Sequence, residues 1–211
     1  WVGARRNQND PGFTNIVKKG VVVGFVSYTY SMNKYFPSAS EPWMPNYLRL
    51  NLPGVSLELL KTDIEASKKA GAKLTIAMLH MGNAYQLYPS ENCVETVKRI
   101  FEECGPDVIV IQHPHNLQPA KSIHFKDPFT GKDKTGIVYY SLGDFVAYDI
   151  FTWSHLTGYA TLKISLNLEG APIIDAGFEY LYLHRSSKGN LKFIPWQEAL
   201  NSKALATQQE F

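Results

Sequence analysis

Apolar residues along this chain form runs of one kind up to about its middle and of another kind beyond it. Residues 21–27 (VVVGFVS), 73–79 (KLTIAML) and 107–111 (DVIVI) are short, nearly continuous apolar runs rich in β-branched side chains, which predicts buried strands. Two stretches of helical periodicity separate them. In the first, Leu57, Leu60, Ile64 and Ser67 with Ala70 recur at helical spacing. Ser56 is placed to cap it, Lys68 and Lys69 fall in the last turn, and Gly71 stops it. In the second, Ser90 opens a helix that keeps Val94, Val97, Phe101 and Cys104 on one face until Gly105 and Pro106 end it.

This order is β-α-β-α-β. Strands joined by helical crossovers run parallel, with right-handed connections in nearly all cases. The three strand C-termini therefore share one edge, which carries Tyr28 and Thr29, then His80, then His113 and His115. Past residue 115 the long helices stop. Residues 120–125, 137–140, 159–166, 173–183 and 191–194 read as antiparallel or mixed strands, with a polar turn over 126–135 and a short helix within 195–209. The Pro- and aromatic-rich stretch 28–53 is too long for a simple connection and predicts an ordered loop, either functional or carrying short structure.

With 211 residues, 45% hydrophobic and 19% charged, one globular domain over 1–211 is the expectation. The net charge of +2 comes from 21 basic and 19 acidic residues, and Lys/Arg blocks never exceed pairs, so the composition excludes an electrostatic footprint for nucleic acid or an anionic membrane surface. No apolar run reaches the ~20 residues that span a bilayer, so membrane association is expected only through a segment upstream of Trp1. Cys93 and Cys104 fall in one predicted helix, about 16 Å apart at 1.5 Å per residue, beyond the roughly 7 Å Cα separation a disulfide tolerates. Both read as packed thiols.

The histidines are the candidate chemistry. Pro114 disfavours helical backbone at His113, and in an extended segment residues i and i+2 project to one side, so His113 and His115 are expected to face one ion, with His80 at the same edge. Neutral imidazoles suit Zn, Mn, Fe or Ni, and parallel sheets bind ligands outside the carboxyl ends of their strands. A hydrogen-bonded structural role is the alternative. His124, His155 and His184 have no such neighbours and read as structural. Ser141, Gly143 and Asp144 follow a strand and offer a hydroxyl, a close backbone N–H and a carboxylate, or simply a tight turn. Asn83, Tyr85 and Gln118 read as substrate or supporting hydrogen-bonders, or as ordinary loop residues. Tyr28, Tyr30, Asn33 and Trp43 suggest an aromatic, amide-rich loop on the same side, suited to an extended polymer or merely covering the sheet. No G-x-S-x-G elbow is present, which argues against a serine hydrolase.

Five ordered segments together resemble one family. GARRNQ, VGFVSYTYSMN (23–33), LHMGNAY (79–85), GPDVIVIQHPHNLQP (105–119) and IVYYSLGDFVAYD (137–149) are similar, in order and spacing, to the signatures of CapA-type poly-γ-glutamate capsule proteins. The resemblance implies an α/β metallophosphatase-like fold, a β-sandwich flanked by helices, of which this chain would be the C-terminal part. It further implies His80, His113 and His115 as ligands of a divalent metal (Mn, Zn or Fe); a general acid/base is expected from His113 or from the missing N-terminal half. It implies action on an anionic cell-envelope polymer or its precursor, outside the cytoplasm, as a hydrolase or transferase. A polymer-binding or assembly module and a metallophosphoesterase are the alternatives. Two departures stand out: the family's Glu in H-W-G-x-E-Y is Ala84, and its Asn in S-L-G-N-F is Asp144. The family's G-D, N-L-E and N-N-H motifs, which would supply the remaining ligands, are expected before Trp1, on a missing N-terminal half.

Overall fold

The computed structural model describes residues 1–147 and 151–202. β2 (Val21–Thr29), β3 (Leu74–His80) and β4 (Val108–Gln112) are the three expected apolar strands, and they pair in parallel in that order. The crossovers are α1 (Glu58–Lys69) and α2 (Glu91–Cys104). Both helices cover one face of the sheet: Leu60 and Ile64 of α1, with Val97, Ile100 and Phe101 of α2, join Val26, Ala77, Leu79, Ile109 and Ile111 in one buried cluster.

The sheet has six strands in the order β1-β2-β3-β4-β6-β5. β1 (Phe13–Lys18) is an antiparallel edge strand absent from the sequence reading. Ile16 and Val17 are exposed on it, so it carries no buried-strand pattern. β5 (Leu117–Lys126) and β6 (Asp133–Leu142) form a hairpin, with β6 parallel to β4. Both outrun the predicted strands and shorten the polar turn, because the Asp127 carboxylate accepts the backbone N–H groups of Phe129 and Thr130 and closes the chain tightly.

A second, antiparallel sheet of β7 (Leu156–Leu166), β8 (Pro172–Arg185) and β9 (Leu191–Pro195) packs on the other face. Its Leu162, Ile164, Ile174 and Phe178 meet Val23, Leu74, Ile76, Val108 and Tyr139. The layers are therefore helices, six-stranded sheet and three-stranded sheet, the helix-flanked sandwich expected for an α/β chain of this pattern.

At α2, Ser90 accepts the Cys93 N–H and Gly105 closes the helix in the left-handed region, as predicted. α1 departs from the prediction: Leu57, not Ser56, is its N-cap and no side chain caps it, although Glu58 places an acid in the first turn. Cys93 and Cys104 are free and buried, and burial pushes their thiols up to about 11 and about 12. The short C-terminal helix is α3 (Trp196–Leu200); the rest of its predicted range, from 203, lies outside the described residues, as do 148 and 149 of the last family segment.

The stretch 28–53 is ordered around the end of β2. Thr29 N–H donates to the Asn46 carbonyl, Leu48 N–H donates to the Thr29 carbonyl, and Leu48 and Leu50 are buried. Tyr28 is core rather than loop. It is buried, its hydroxyl donates to the Asp63 carboxylate, and Arg5 reaches that same carboxylate oxygen at 3.0 Å.

Candidate functional site

His80 ends β3, and His113 follows the last residue of β4. The parallel pairing of these strands sets the two rings side by side, with centroids 4.8 Å apart and planes at 80°. His113 and His115 lie 5.9 Å apart. Tyr30, just past β2, touches both His80 and His113, at 5.4 and 5.0 Å. The predicted gathering of three imidazoles at one sheet edge is present.

The backbone that achieves it differs from the extended segment predicted from Pro114. His113 has φ of 112° and His115 has φ of 62°. Neighbours hold this turn: Tyr85 N–H donates to the Pro114 carbonyl at 2.8 Å and Asp144 N–H donates to the His115 carbonyl at 3.1 Å. Non-glycine residues in such regions cost about 1–3 kcal/mol each and persist only where the surroundings over-determine them, most often at functional sites.

Hydrogen bonds also set the imidazole tautomers. The Thr29 hydroxyl donates to the Ser31 carbonyl at 2.6 Å, so toward His80 Nδ1, 2.8 Å away, it accepts. His80 therefore carries its proton on Nδ1 and keeps the Nε2 lone pair. The Asp144 carboxylate lies 2.9 Å from His115 Nδ1 and enforces the same tautomer there. His113 Nε2 shares a 2.9 Å bond with the Tyr30 hydroxyl. Burial, then the adjacent His115, lowers the His80 pKa; burial, then His80 and His115, pushes His113 down to about 4. At neutral pH both are uncharged, the form in which imidazole binds metals.

Asn116, next to His115, is fully buried, and its amide nitrogen and oxygen have no hydrogen-bond partner among the described residues. An orphaned amide and oriented neutral imidazoles fit one side of a metal centre in donor chemistry. The set is not closed: among the described residues, no group of three or more His, Cys, Asp or Glu side chains takes ion-holding geometry.

The remaining predicted residues divide. Tyr85 stacks on His115 at 5.0 Å with planes 15° apart. Gly143 holds φ of 77° in the turn that delivers Asp144, and a Cβ there would lie 2.9 Å from the Leu156 carbonyl oxygen. Ser141 is buried and accepts the Gly143 N–H. Gln118 is buried and donates to the Gln86 carbonyl, holding the loop that follows β3. Asn83 is exposed and bonds Gln86, at the rim. His124 bonds Thr135 on the distant β5–β6 hairpin, His155 is buried against Tyr182, and His184 lies on β8. The roles of Thr29 and Tyr30 at the histidines, and the rings of Phe151 and Trp153, escaped the sequence reading. The edge position of Thr29 was the available signal for the first.

Residues 1–149 match the family described as "Bacterial capsule synthesis protein PGA_cap". The chain belongs to this family. The capsule biosynthesis protein CapA of Bacillus anthracis is 31% identical over 178 residues; the match covers 83% of this chain, and the chain spans 39% of that relative's length. Among solved structures, the calcineurin-like phosphoesterase YfkN of Bacillus subtilis is similar with a TM-score of 0.38 and 16% identity, over 93% of this chain and 55% of that one. The family match spans β1 to β6 and every histidine of the edge, and stops before β7. The two departures from the family pattern both lie at this edge: Ala84 precedes the ring that stacks on His115, and Asp144 bonds His115 directly. Among the described residues no helix is long and apolar enough to cross a membrane.

Proposed function

We propose that this chain carries one side of a divalent-metal centre, with His80, His113 and His115 as ligands of Mn, Zn or Fe, in a protein that hydrolyses or transfers groups on an anionic cell-envelope polymer. The supporting observation is the strained turn at His113 and His115, held so that the His113 ring lies 4.8 Å from His80 and 5.9 Å from His115. Capsule synthesis, the business of the family, points to a poly-γ-glutamate-like polymer or its precursor as substrate and to the outer face of the cell as location. When bound, the metal supplies Lewis-acid polarisation of a carbonyl or phosphoryl oxygen. Thr29 and Asp144 orient His80 and His115. His113, uncharged at neutral pH and bonded to Tyr30, is the residue assigned to proton transfer. Asn83 and Tyr85 border the polymer path, with Gln118 and the 141–144 turn holding the loops behind them. Further ligands are assigned to the length of the relatives that this chain does not span.

The test is metal content of the native protein beside a His113→Ala/His115→Ala double variant. Loss of bound metal in the variant is expected; equal content in both removes the ligand assignment. A second reading, a polymer-binding or assembly module without catalysis, is favoured by Ala84 in place of the family carboxylate and by the unclosed donor set. It predicts polymer binding that survives EDTA.

A further inference from the structure

Lysines from three separate stretches meet at the end of the sheet opposite the histidines. Lys18 closes β1 and Lys19 turns the chain into β2, while Lys73 N–H donates to the Val22 carbonyl at 2.8 Å, so these three sit at neighbouring strand ends. Lys73 follows the last turn of α1, where Lys68 lies 3.6 Å from Asp127. The Asp127 N–H in turn donates to the Lys132 carbonyl at 2.9 Å. Lys132 therefore continues a row that crosses the sheet from β1 to the β5–β6 hairpin, over strands spaced ~4.8 Å apart and so about 24 Å in all.

Lys18, Lys19, Lys73 and Lys132 are exposed and make no ion pair among the described residues. The acids nearest them are already matched: Asp107 and Asp127 by Lys68 and Lys134, Glu65 by Lys69, and Asp133 by Lys126. Glu102 and Glu103, in the last turn of α2, pair with Lys98 and Arg99. Helix C-terminal carbonyls would repel an anion, but these are met as well: Gly105 accepts from Lys68 and Lys134, and the Asn15 amide donates to Ser67 and Ala70. β7 starts beside Leu142 at the histidine end, so its far turn adds one acid here, Glu169. Four exposed ammonium groups against one carboxylate leave the row positive.

Charge density selects the ligand. Duplex nucleic acid carries one negative charge per ~1.7 Å of axis, far denser than this row. Residues 15–20, 68–73 and 126–134 contain no arginine for bidentate phosphate contact and expose no aromatic ring to anchor at a bilayer interface. A linear polycarboxylate is sparser. It carries one charge per residue, and a γ-linked residue has two more chain carbons than an α-linked one, which itself advances ~3.5 Å.

We propose that this lysine row is a second binding surface, separate from the histidine edge, for an extended polycarboxylate chain. β3 spans the distance between the two, about 23 Å from Lys73 to His80. A polymer held at the row keeps its remaining length at high local concentration near the histidines. Delivery to a reacting centre and the γ-glutamyl identity of the polymer rest on the function proposed above; anion binding by the row does not.

The experiment is fluorescence anisotropy of a labelled γ-linked glutamate decamer titrated with the full chain in EDTA, which removes any metal-dependent contribution of the histidines. Binding is expected, weakening steeply as salt rises from about 0.05 to about 0.3 M, and a decamer with amidated carboxylates should not bind. Replacing Lys18, Lys19, Lys73 and Lys132 together by Gln should weaken binding at least roughly tenfold. Replacing them by Arg should retain it, and urea denaturation should show both variants folded. Lys73→Gln and Lys132→Gln singly, each expected to weaken binding, serve if the combined variant fails to fold. The row is overturned if the decamer does not bind, if folded Gln variants bind as the wild type does, or if an oligonucleotide or anionic vesicles of equal charge outcompete the decamer. His113→Ala/His115→Ala should leave this binding unchanged. Loss of binding in that variant alone would put the polymer at the histidines and remove the row. Equal metal content in wild type and histidine variant, with binding lost only in the Gln variant, would remove the metal reading and leave the row standing.

Discussion

Thr29 fixes the proton of His80. Its hydroxyl hydrogen is committed to the Ser31 carbonyl, so the 2.8 Å contact to Nδ1 has one direction, and the ring's other nitrogen is left as an acceptor. Thr29 and His80 are also register partners in the β2–β3 ladder, so the relationship is set by strand pairing and not by a flexible loop.

Thr29→Val keeps the shape and removes the acceptor. The His80 imidazole is expected to become a mixture of tautomers, visible in nitrogen-15 NMR of the ring. Stability should fall by about 1 kcal/mol, the net worth of one such bond. A single unchanged tautomer would show that Thr29 does not set it.

Asp144 depends on Gly143, whose φ of 77° and 2.9 Å clearance to the Leu156 carbonyl leave no room for a side chain. Gly143→Ala should cost about 1–3 kcal/mol in urea denaturation through strain and overpacking. It should also shift the His115 ring resonances, because the Asp144 carboxylate moves with the turn. Wild-type stability together with unmoved His115 signals would contradict this account.

Acid should destabilise the fold through His113. Its imidazole titrates near 6.5 when unfolded and near about 4 when folded. Between these values the unfolded chain binds a proton that the folded chain does not, so stability falls as pH drops through that window, and the loss is complete below it. His80, whose pKa is also lowered, adds in the same direction. Urea midpoints of wild type and His113→Gln, compared at about pH 7 and about pH 5, should converge or cross as the pH falls, the variant having the flatter profile. Parallel profiles would exclude His113 as the source.

At the opposite end of the sheet, Lys134 binds Asp107 at 3.0 Å, Asp127 at 3.3 Å and the Gly105 carbonyl at 3.0 Å, with both carboxylates buried. Lys134→Met leaves two buried acids short of a cation, with Lys68 still 3.6 Å from Asp127. The expected loss is about 3 kcal/mol, as for breaking other buried pairs, with the histidine edge unperturbed. A loss below that of an exposed pair would mean that water already screens the cluster.

The amino-acid pattern by itself determined the parallel β2–β3–β4 core, its two crossover helices and the edge at which His80, His113 and His115 meet. Continuous apolar runs and 3.6-residue periodicity are local properties, and right-handed crossover fixes which strand ends coincide. Edge strand β1 was illegible because an exposed strand needs no apolar alternation. The backbone at His113 was illegible because Pro114 states only a local preference, which the distant Tyr85 N–H and Asp144 N–H help to override. Tertiary structure alone decided that Thr29 and Asp144 hold the imidazoles, that Tyr28 turns inward to Asp63, and that Phe151 meets Tyr85. Each of these is a contact between residues far apart in the chain, set by packing and hydrogen-bond geometry that no local period encodes.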